Sequence, residues 1–156
     1  MDLESFQKNK EIEKGRNDTQ IIDTLSFKML LAANRMVRAF NDGPGKTFDI
    51  PLTDWRCAMV LASSPDSSGE QVSRFLEMDK MAISRGLRGL QKAGLATVKA
   101  DPTNRRRQLW SLTAKGWTLY DTIVPMVMAR DETIFGTMSD EDKSALAAAF
   151  ERVSPR

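Results

Sequence analysis

At 156 residues, 41% of them hydrophobic and 28% charged, the chain is long enough to bury one core and reads as a single, mainly helical globular domain. With no histidine and one cysteine, Cys57, it cannot build histidine triads, His- or Cys-rich metal sites or an intrachain disulfide. Most familiar hydrolase mechanisms are therefore excluded, no metal or cofactor is expected, and the modest net charge of +2 conceals an uneven distribution along the chain.

Residues 1–18 mix acids and bases without an apolar stretch, and read as a polar extension rather than a secretion signal. No later apolar run approaches the ~18 residues of a membrane span, so no membrane partner is expected and the cytoplasm is the expected location. From Thr19 to Asp42, Ile21, Ile22, Leu25, Met29, Met36, Val37 and Phe40 recur at helical spacing. Asp18 or Thr19 can cap this helix, and Asn41-Asp42-Gly43-Pro44-Gly45 is expected to stop it. Phe27, Leu30 and Leu31 widen its apolar surface beyond one core stripe, which calls for a second partner.

Thr53 is placed to cap a helix through Trp55, Ala58, Met59 and Leu61 that Ser63-Ser64-Pro65 ends. Cys57 lies inside it and reads as a buried thiol, with a redox sensor as the alternative. Ser67 and Glu70 have the spacing of a capping box, opening a short helix with Val72, Phe75 and Leu76 inward. Glu77-Met78-Asp79 then turns into a second helix, Lys80 to about Ala93, which Asp79 can cap. Two short helices joined by so tight a turn are a helix-turn-helix candidate.

On that second helix, at about 100° per residue, Ile83, Leu87, Leu90 and Gly94 share one face while Met81, Arg85, Arg88 and Lys92 share the opposite one. One face is core and the other cationic. Gly86 and Gly89 each cost roughly 1 kcal/mol relative to Ala inside a helix, a penalty that close helix packing or a close ligand would explain and that tolerated slack would explain equally.

Gly94 reads as the helix end, and Leu95–Lys99 and Gln108–Leu112 as two strands of a hairpin. Asp101-Pro102-Thr103-Asn104 supplies the turn residues, and Arg105, Arg106 and Arg107 crowd the tip, where only an anion would relieve their repulsion. From Lys80 to Arg107 there are eight basic residues against one acid, a net +7 that leaves the remainder at −5. A positive block on an acidic body suits a polyanion, with a solvated basic surface as the alternative.

Thr113 can cap a long helix through Trp117, Tyr120, Ile123 and Val124, in which Pro125 predicts a kink. Ser139-Asp140-Glu141-Asp142 opens the last helix with acids at its positive end, followed by Leu146, Ala147, Phe150 and Val153. These helices also offer more apolar face than one small core uses.

This order of elements resembles the MarR family of winged helix-turn-helix transcriptional regulators. The resemblance is carried by Ile83-Ser84-Arg85-x-Leu87-x-x-Leu90-x-x-x-Gly94-Leu95, by Asp101-Pro102-Thr103-Asn104-Arg105-Arg106 and by Leu112-Thr113-x-Lys115-Gly116. It implies a mainly helical fold with a small two-stranded wing: a DNA-binding lobe over residues 53–113 within a domain of 19–156, and dimerisation helices over 19–42 and 114–153. It also implies a homodimer on double-stranded DNA, with the reading helix in the major groove and the wing in the adjacent minor groove.

By position, Ser84 and Arg85 match the pair that engages DNA, and Arg106 the wing arginine. Lys80, Met81, Arg88, Lys92, Arg105 and Arg107 complete the expected DNA-binding set. Thr103-Asn104 replaces the family's usual Arg-Asp pair, which removes a wing salt bridge and leaves open which arginine enters the groove. A small aromatic or anionic effector is implied as well, near Phe40, Trp55, Arg56, Met59 and Trp117, although each of these can equally be core. Arg56 could pair an effector carboxylate or Asp49.

The expected function is thus a homodimeric regulator, most often a repressor, reading a pseudo-palindrome with half-sites roughly 34 Å apart. The rival readings are a winged-helix protein-interaction module and an enzyme using Asp140, Glu141 and Asp142. Helix capping already explains those acids.

Overall fold

The computed structural model describes residues 20–153. The chain falls into two compact units, divided between Ala39 and Phe40. Residues 1–19, Asp18 and Thr19 among the expected features, lie outside the described part.

The described part of the first unit is a 3-10 turn, Ile21–Asp23, followed by helix α1, Leu25–Phe40, whose last residue is counted with the second unit. The Thr24 hydroxyl accepts from the Phe27 N–H at 3.3 Å and donates to the Ile21 carbonyl at 2.7 Å, so Thr24 marks the start of the helix proper. Ile21, Leu25, Met29, Leu30, Leu31 and Met36 are exposed. One helix cannot enclose its own apolar stripe.

The second unit starts in a wide turn, Asn41–Gly45, where Gly43 departs from helical geometry at φ −103° and ψ −111°. The expected stop is therefore a bend with a short helical continuation to Thr47, made possible by a residue without Cβ beside one without N–H. Helix α2 spans Leu52–Ser63, strand β1 Ser67–Ser68, helix α3 Gly69–Leu76 and helix α4 Lys80–Lys92. Strands β2, Ala96–Ala100, and β3, Gln108–Leu112, precede helices α5, Ala114–Phe135, and α6, Asp140–Val153.

The sheet has three strands in the order β1-β3-β2, all antiparallel, where the sequence led to an expectation of two. Ala96 faces Leu112 and Ala100 faces Gln108 across the hairpin, while Ser67 and Ser68 face Trp110 and Leu109. A two-residue polar strand carries no hydrophobic period to announce it.

Its pairing also moves the capping box by one residue. Ser68, not Ser67, caps α3, accepting from the Gln71 N–H at 3.3 Å while Gln71 Oε1 accepts the Ser68 N–H at 2.9 Å. Pro51, with its fixed φ, stands where α2 begins, so Thr53 lies inside the helix instead of capping it. Phe75 is exposed rather than inward, because Val72 and Leu76, one turn apart, already cover the inner stripe of so short a helix. Helix α5 continues through Pro125 for another two to three turns.

Leu61 of α2, Val72 of α3, Ile83, Leu87 and Leu90 of α4, Trp110 and Leu112 of β3 and Ile123 of α5 form one buried cluster. This core fixes the outward face of α4 by burying its inward one. Among the described residues, no helix is long and apolar enough to cross a membrane.

Candidate nucleic-acid interface

Helix α4 is set by a defined cap at each end. At its start, Asp79 Oδ1 accepts from the N–H groups of Met81 and Ala82 at 2.9 and 3.0 Å. The preceding turn is made by Glu77 in the left-handed region, φ 52°, and held by the Ser73 hydroxyl donating to the Met78 carbonyl at 2.6 Å. At its end, Gly94 adopts φ +72°; its N–H reaches the Gln91 carbonyl at 2.9 Å and the Leu95 N–H reaches the Leu90 carbonyl at 2.8 Å. This is the Schellman pattern, which an L-residue enters at a cost.

The two interior glycines face α2. A Cβ on Gly86 would lie 3.1 Å from both Cys57 Sγ and Thr53 Cγ2, and one on Gly89 would collide with the Asp54 carboxylate. Close helix packing, rather than a ligand, accounts for both glycines. Burial raises the Asp54 carboxyl above its usual range. Burial and then the Asp54 charge push the Cys57 thiol up to about 12. Cys57, fully buried, stays protonated at neutral pH and is a packed thiol without the thiolate that a redox sensor needs.

A second device grips the same helix end. Thr113, whose hydroxyl caps α5 by accepting from the Gly116 N–H at 3.1 Å, also donates that hydroxyl to the Gly94 carbonyl at 2.7 Å. The Thr113 N–H reaches the Leu95 carbonyl at 3.0 Å, and Lys115 Nζ the Ala93 carbonyl at 2.9 Å. Gly116 is needed because any Cβ there would strike the Leu95 carbonyl. The Leu112-Thr113-x-Lys115-Gly116 run is thus a clamp joining the end of α4 to the start of α5, a role its spacing alone does not reveal.

The outward face of α4 carries Met81, Arg85, Arg88 and Lys92, all exposed, with Ser84 half-buried beside them. Lys80 is exposed and lies 3.9 Å from Glu70, which also sits 3.6 Å from Arg74. Such surface pairs contribute little.

In the hairpin the three arginines are not equivalent. Asp101 Oδ1 accepts from the Thr103 hydroxyl at 2.7 Å and the Thr103 N–H at 2.8 Å. These bonds, then the charge of Arg107, hold its carboxyl below the usual range. Arg107 turns back into the protein, donating from Nη2 to Gln71 Oε1 at 2.7 Å and Ser68 Oγ at 3.2 Å, with Nη1 3.8 Å from Asp101. The wing therefore has an ion pair after all, through a residue the family motif does not include. Arg105 and Arg106 are left exposed.

These elements enclose a cleft of about 280 Å³ lined by Ser68, Gly69 and Glu70 of the α3 start, Lys80, Ser84 and Arg88 of α4, and Arg106 and Arg107 of the wing. Met81, Arg85 and Lys92 lie along the open side of α4, and Arg105 on the wing, outside this cleft. The expected DNA-binding residues thus lie in and beside one concave cationic surface.

The residues expected at an effector site lie elsewhere. Phe40 stacks on Trp55 with ring centroids 6.1 Å apart, Trp55 on Tyr120 at 5.5 Å, and Trp117 meets Tyr120 edge-on at 5.7 Å. Phe40 and Trp55 are buried, Met59 is half-buried against the core and Trp117 remains exposed. Arg56 reaches Met78 Sδ at 3.8 Å rather than Asp49. Tyr120, missing from the expected set, joins the stack; its i+3 spacing from Trp117 is the signal that would have found it.

Residues 48–107 match the model of the MarR family. A protein of Thauera aromatica, named as a transcriptional regulatory protein for the hcr operon, is 26% identical over 94 residues, which span 60% of this chain and 57% of that relative. A MarR/EmrR family transcriptional regulator from Acinetobacter sp. ADP1 superposes with a TM-score of 0.79 at 23% identity, over 86% of this chain and 95% of that one. BpsR of Bordetella bronchiseptica, whose DNA binding is regulated by 6-hydroxynicotinic acid, gives a TM-score of 0.80 at 18% identity, over 90% and 99%. Geometry and comparison agree on a winged helix: residues 48–107 are similar to the MarR family model, and the fold of the chain is shared with solved regulators of that family.

Proposed function

We propose that this chain is a sequence-specific DNA-binding transcriptional regulator, a cytoplasmic homodimer that represses until a small effector releases it. The observation that carries this reading is the partition of α4, whose Ile83, Leu87 and Leu90 are buried while its cations stand on the open face beside a cationic wing. A helix so built can lie in a major groove, with Ser84 and Arg85 at base edges and Lys80, Arg88 and Lys92 toward phosphates. Arg105 and Arg106 then extend toward the adjacent minor groove, and Arg107 holds the wing in place.

The homodimer is supported by the apolar residues that each unit leaves uncovered: Leu25, Leu30 and Leu31 in the first, Met128, Phe150 and Val153 in the second. The effector is supported by BpsR, which responds to an aromatic acid. In this chain an exposed Trp117 adjoins the aromatic stack, and Arg56 follows Trp55 in α2. Such rings suit an aromatic acid whose carboxylate a cation, Arg56 turned from Met78, would pair, and Met59 and Phe40 would form the apolar remainder of such a site.

Fluorescence anisotropy with DNA from upstream of the protein's own gene, against a scrambled duplex, tests the reading. A specific dimer prefers the true site by ~10³-fold or more. The logarithm of affinity falls by about 0.9 per contacted phosphate for each decade of salt. Equal, weak binding to both duplexes, with capture of a protein partner instead, would replace it with a protein-interaction module.

A further inference from the structure

The outward row of α4 begins with a residue unlike those that follow it. Met81 is the second residue of the helix, its N–H fixed by Asp79 Oδ1 at 2.9 Å, and it is 65% exposed. It stands one turn ahead of Arg85 on the face that continues through Arg88 and Lys92. The apolar side chains two and six residues on, Ile83 and Leu87, are fully buried, so α4 has a core face and Met81 is not on it.

Residues in the N-terminal part of a helix lying in the major groove meet base edges. A thioether offers no donor and only a weak acceptor, so Met81 cannot read the groove's hydrogen-bonding pattern. What it complements there is the one apolar feature of a base edge, the 5-methyl group of thymine.

We propose that Met81 is a specificity-determining residue that packs against the 5-methyl group of one thymine in each half-site, beside the bases read by Ser84 and Arg85. The proposal rests on the DNA-binding reading above and adds to it a base identity and the group that recognises it. Covering one methyl is worth about a fourfold change in affinity, so a two-fold-symmetric site should respond by about 15-fold when both methyls are removed.

The test first selects a preferred duplex from a random library with the full chain. Each thymine is then replaced by deoxyuridine, which deletes the methyl group and nothing else. With the wild-type protein, one symmetry-related pair of thymines should reduce affinity about 15-fold and the remaining positions less than twofold. Met81→Ala should bind the thymine and deoxyuridine forms of that pair equally while keeping the rest of the profile, and Met81→Leu should restore the difference. Because Met81 is so exposed, both variants should melt with the wild type.

A flat deoxyuridine profile on a selected site, a methyl response that survives in Met81→Ala, or a preferred site without thymine in its half-sites would overturn the proposal and leave the regulator reading intact. Failure of the library to yield any preferred duplex would overturn both together.

Discussion

The two cationic elements, helix α4 and the wing, are held by different forces. Helix α4 owes its orientation to burial: Ile83, Leu87 and Leu90 are enclosed, and Gly86 and Gly89 let α2 close on its back. The wing owes its shape to a polar network in which Asp101, Thr103 and Arg107 join the turn to the cap of α3. A packed helix presents its charges stiffly, because any rotation would expose the core. A hydrogen-bonded wing can be loosened without touching the core, which suits the groove-seeking role proposed for it.

The sharpest way to break the comparison is through the core. Leu87→Ala should cost about 2–5 kcal/mol of stability, read as a lower urea midpoint. Arg107→Ala, by contrast, should leave that midpoint within about 0.5 kcal/mol of wild type. Equal losses would mean that the wing is part of the same cooperative unit.

Arg85→Ala with Arg88→Ala should abolish site preference without altering unfolding, since withdrawing Arg85 from a base edge weakens specific binding by about 1–3 kcal/mol and withdrawing Arg88 from a phosphate weakens binding to every sequence. Retained affinity in anisotropy would show that the outward face of α4 is not the reading face.

Next in size, the wing arginines separate by mechanism. Arg106→Ala should flatten the salt dependence by about one unit for each phosphate it no longer neutralises. Arg107→Ala should change the slope less and instead speed hydrogen exchange at the amides of Thr103 and Asn104, which the Asp101 turn protects. If the two variants give the same slope and the same exchange, Arg107 binds DNA rather than bracing the wing.

The same division explains what the sequence revealed. The two faces of α4 and the Asp79 cap rest on local spacing, and both were legible. The Ser68 cap was displaced by one because Ser67 with Glu70 and Ser68 with Gln71 satisfy the same spacing. The choice is made by pairing with Trp110 and Leu109, more than 40 residues on. Arg107 looks like its two neighbours in the sequence, and only a partner 36 residues away, Gln71, sets it apart. Gly86 and Gly89 signalled a close approach but not what approached. Periodicity encodes faces, whereas long-range polar contacts leave no local trace.

The smallest expected effect is on pH dependence, and the two regions should differ in sign. The Asp101 carboxyl lies below its ordinary value of 3.8 in the folded wing, through the Thr103 hydroxyl first and the charge of Arg107 further down. Its contribution is therefore present above that value and lost as pH falls through the lower folded one. The Asp54 carboxyl behind α4 lies above 3.8 because burial disfavours its charge. Its contribution is present below 3.8 and lost as pH rises through the higher folded value. Asp101→Asn should thus lower stability at neutral pH and leave it unchanged in strong acid, while Asp54→Asn should raise it at neutral pH. Unfolding midpoints of both variants at pH 7 and pH 3 check the signs, and two variants moving together at pH 7 would mean that Asp54 is charge-compensated in solution and that α4, like the wing, leans on a polar contact.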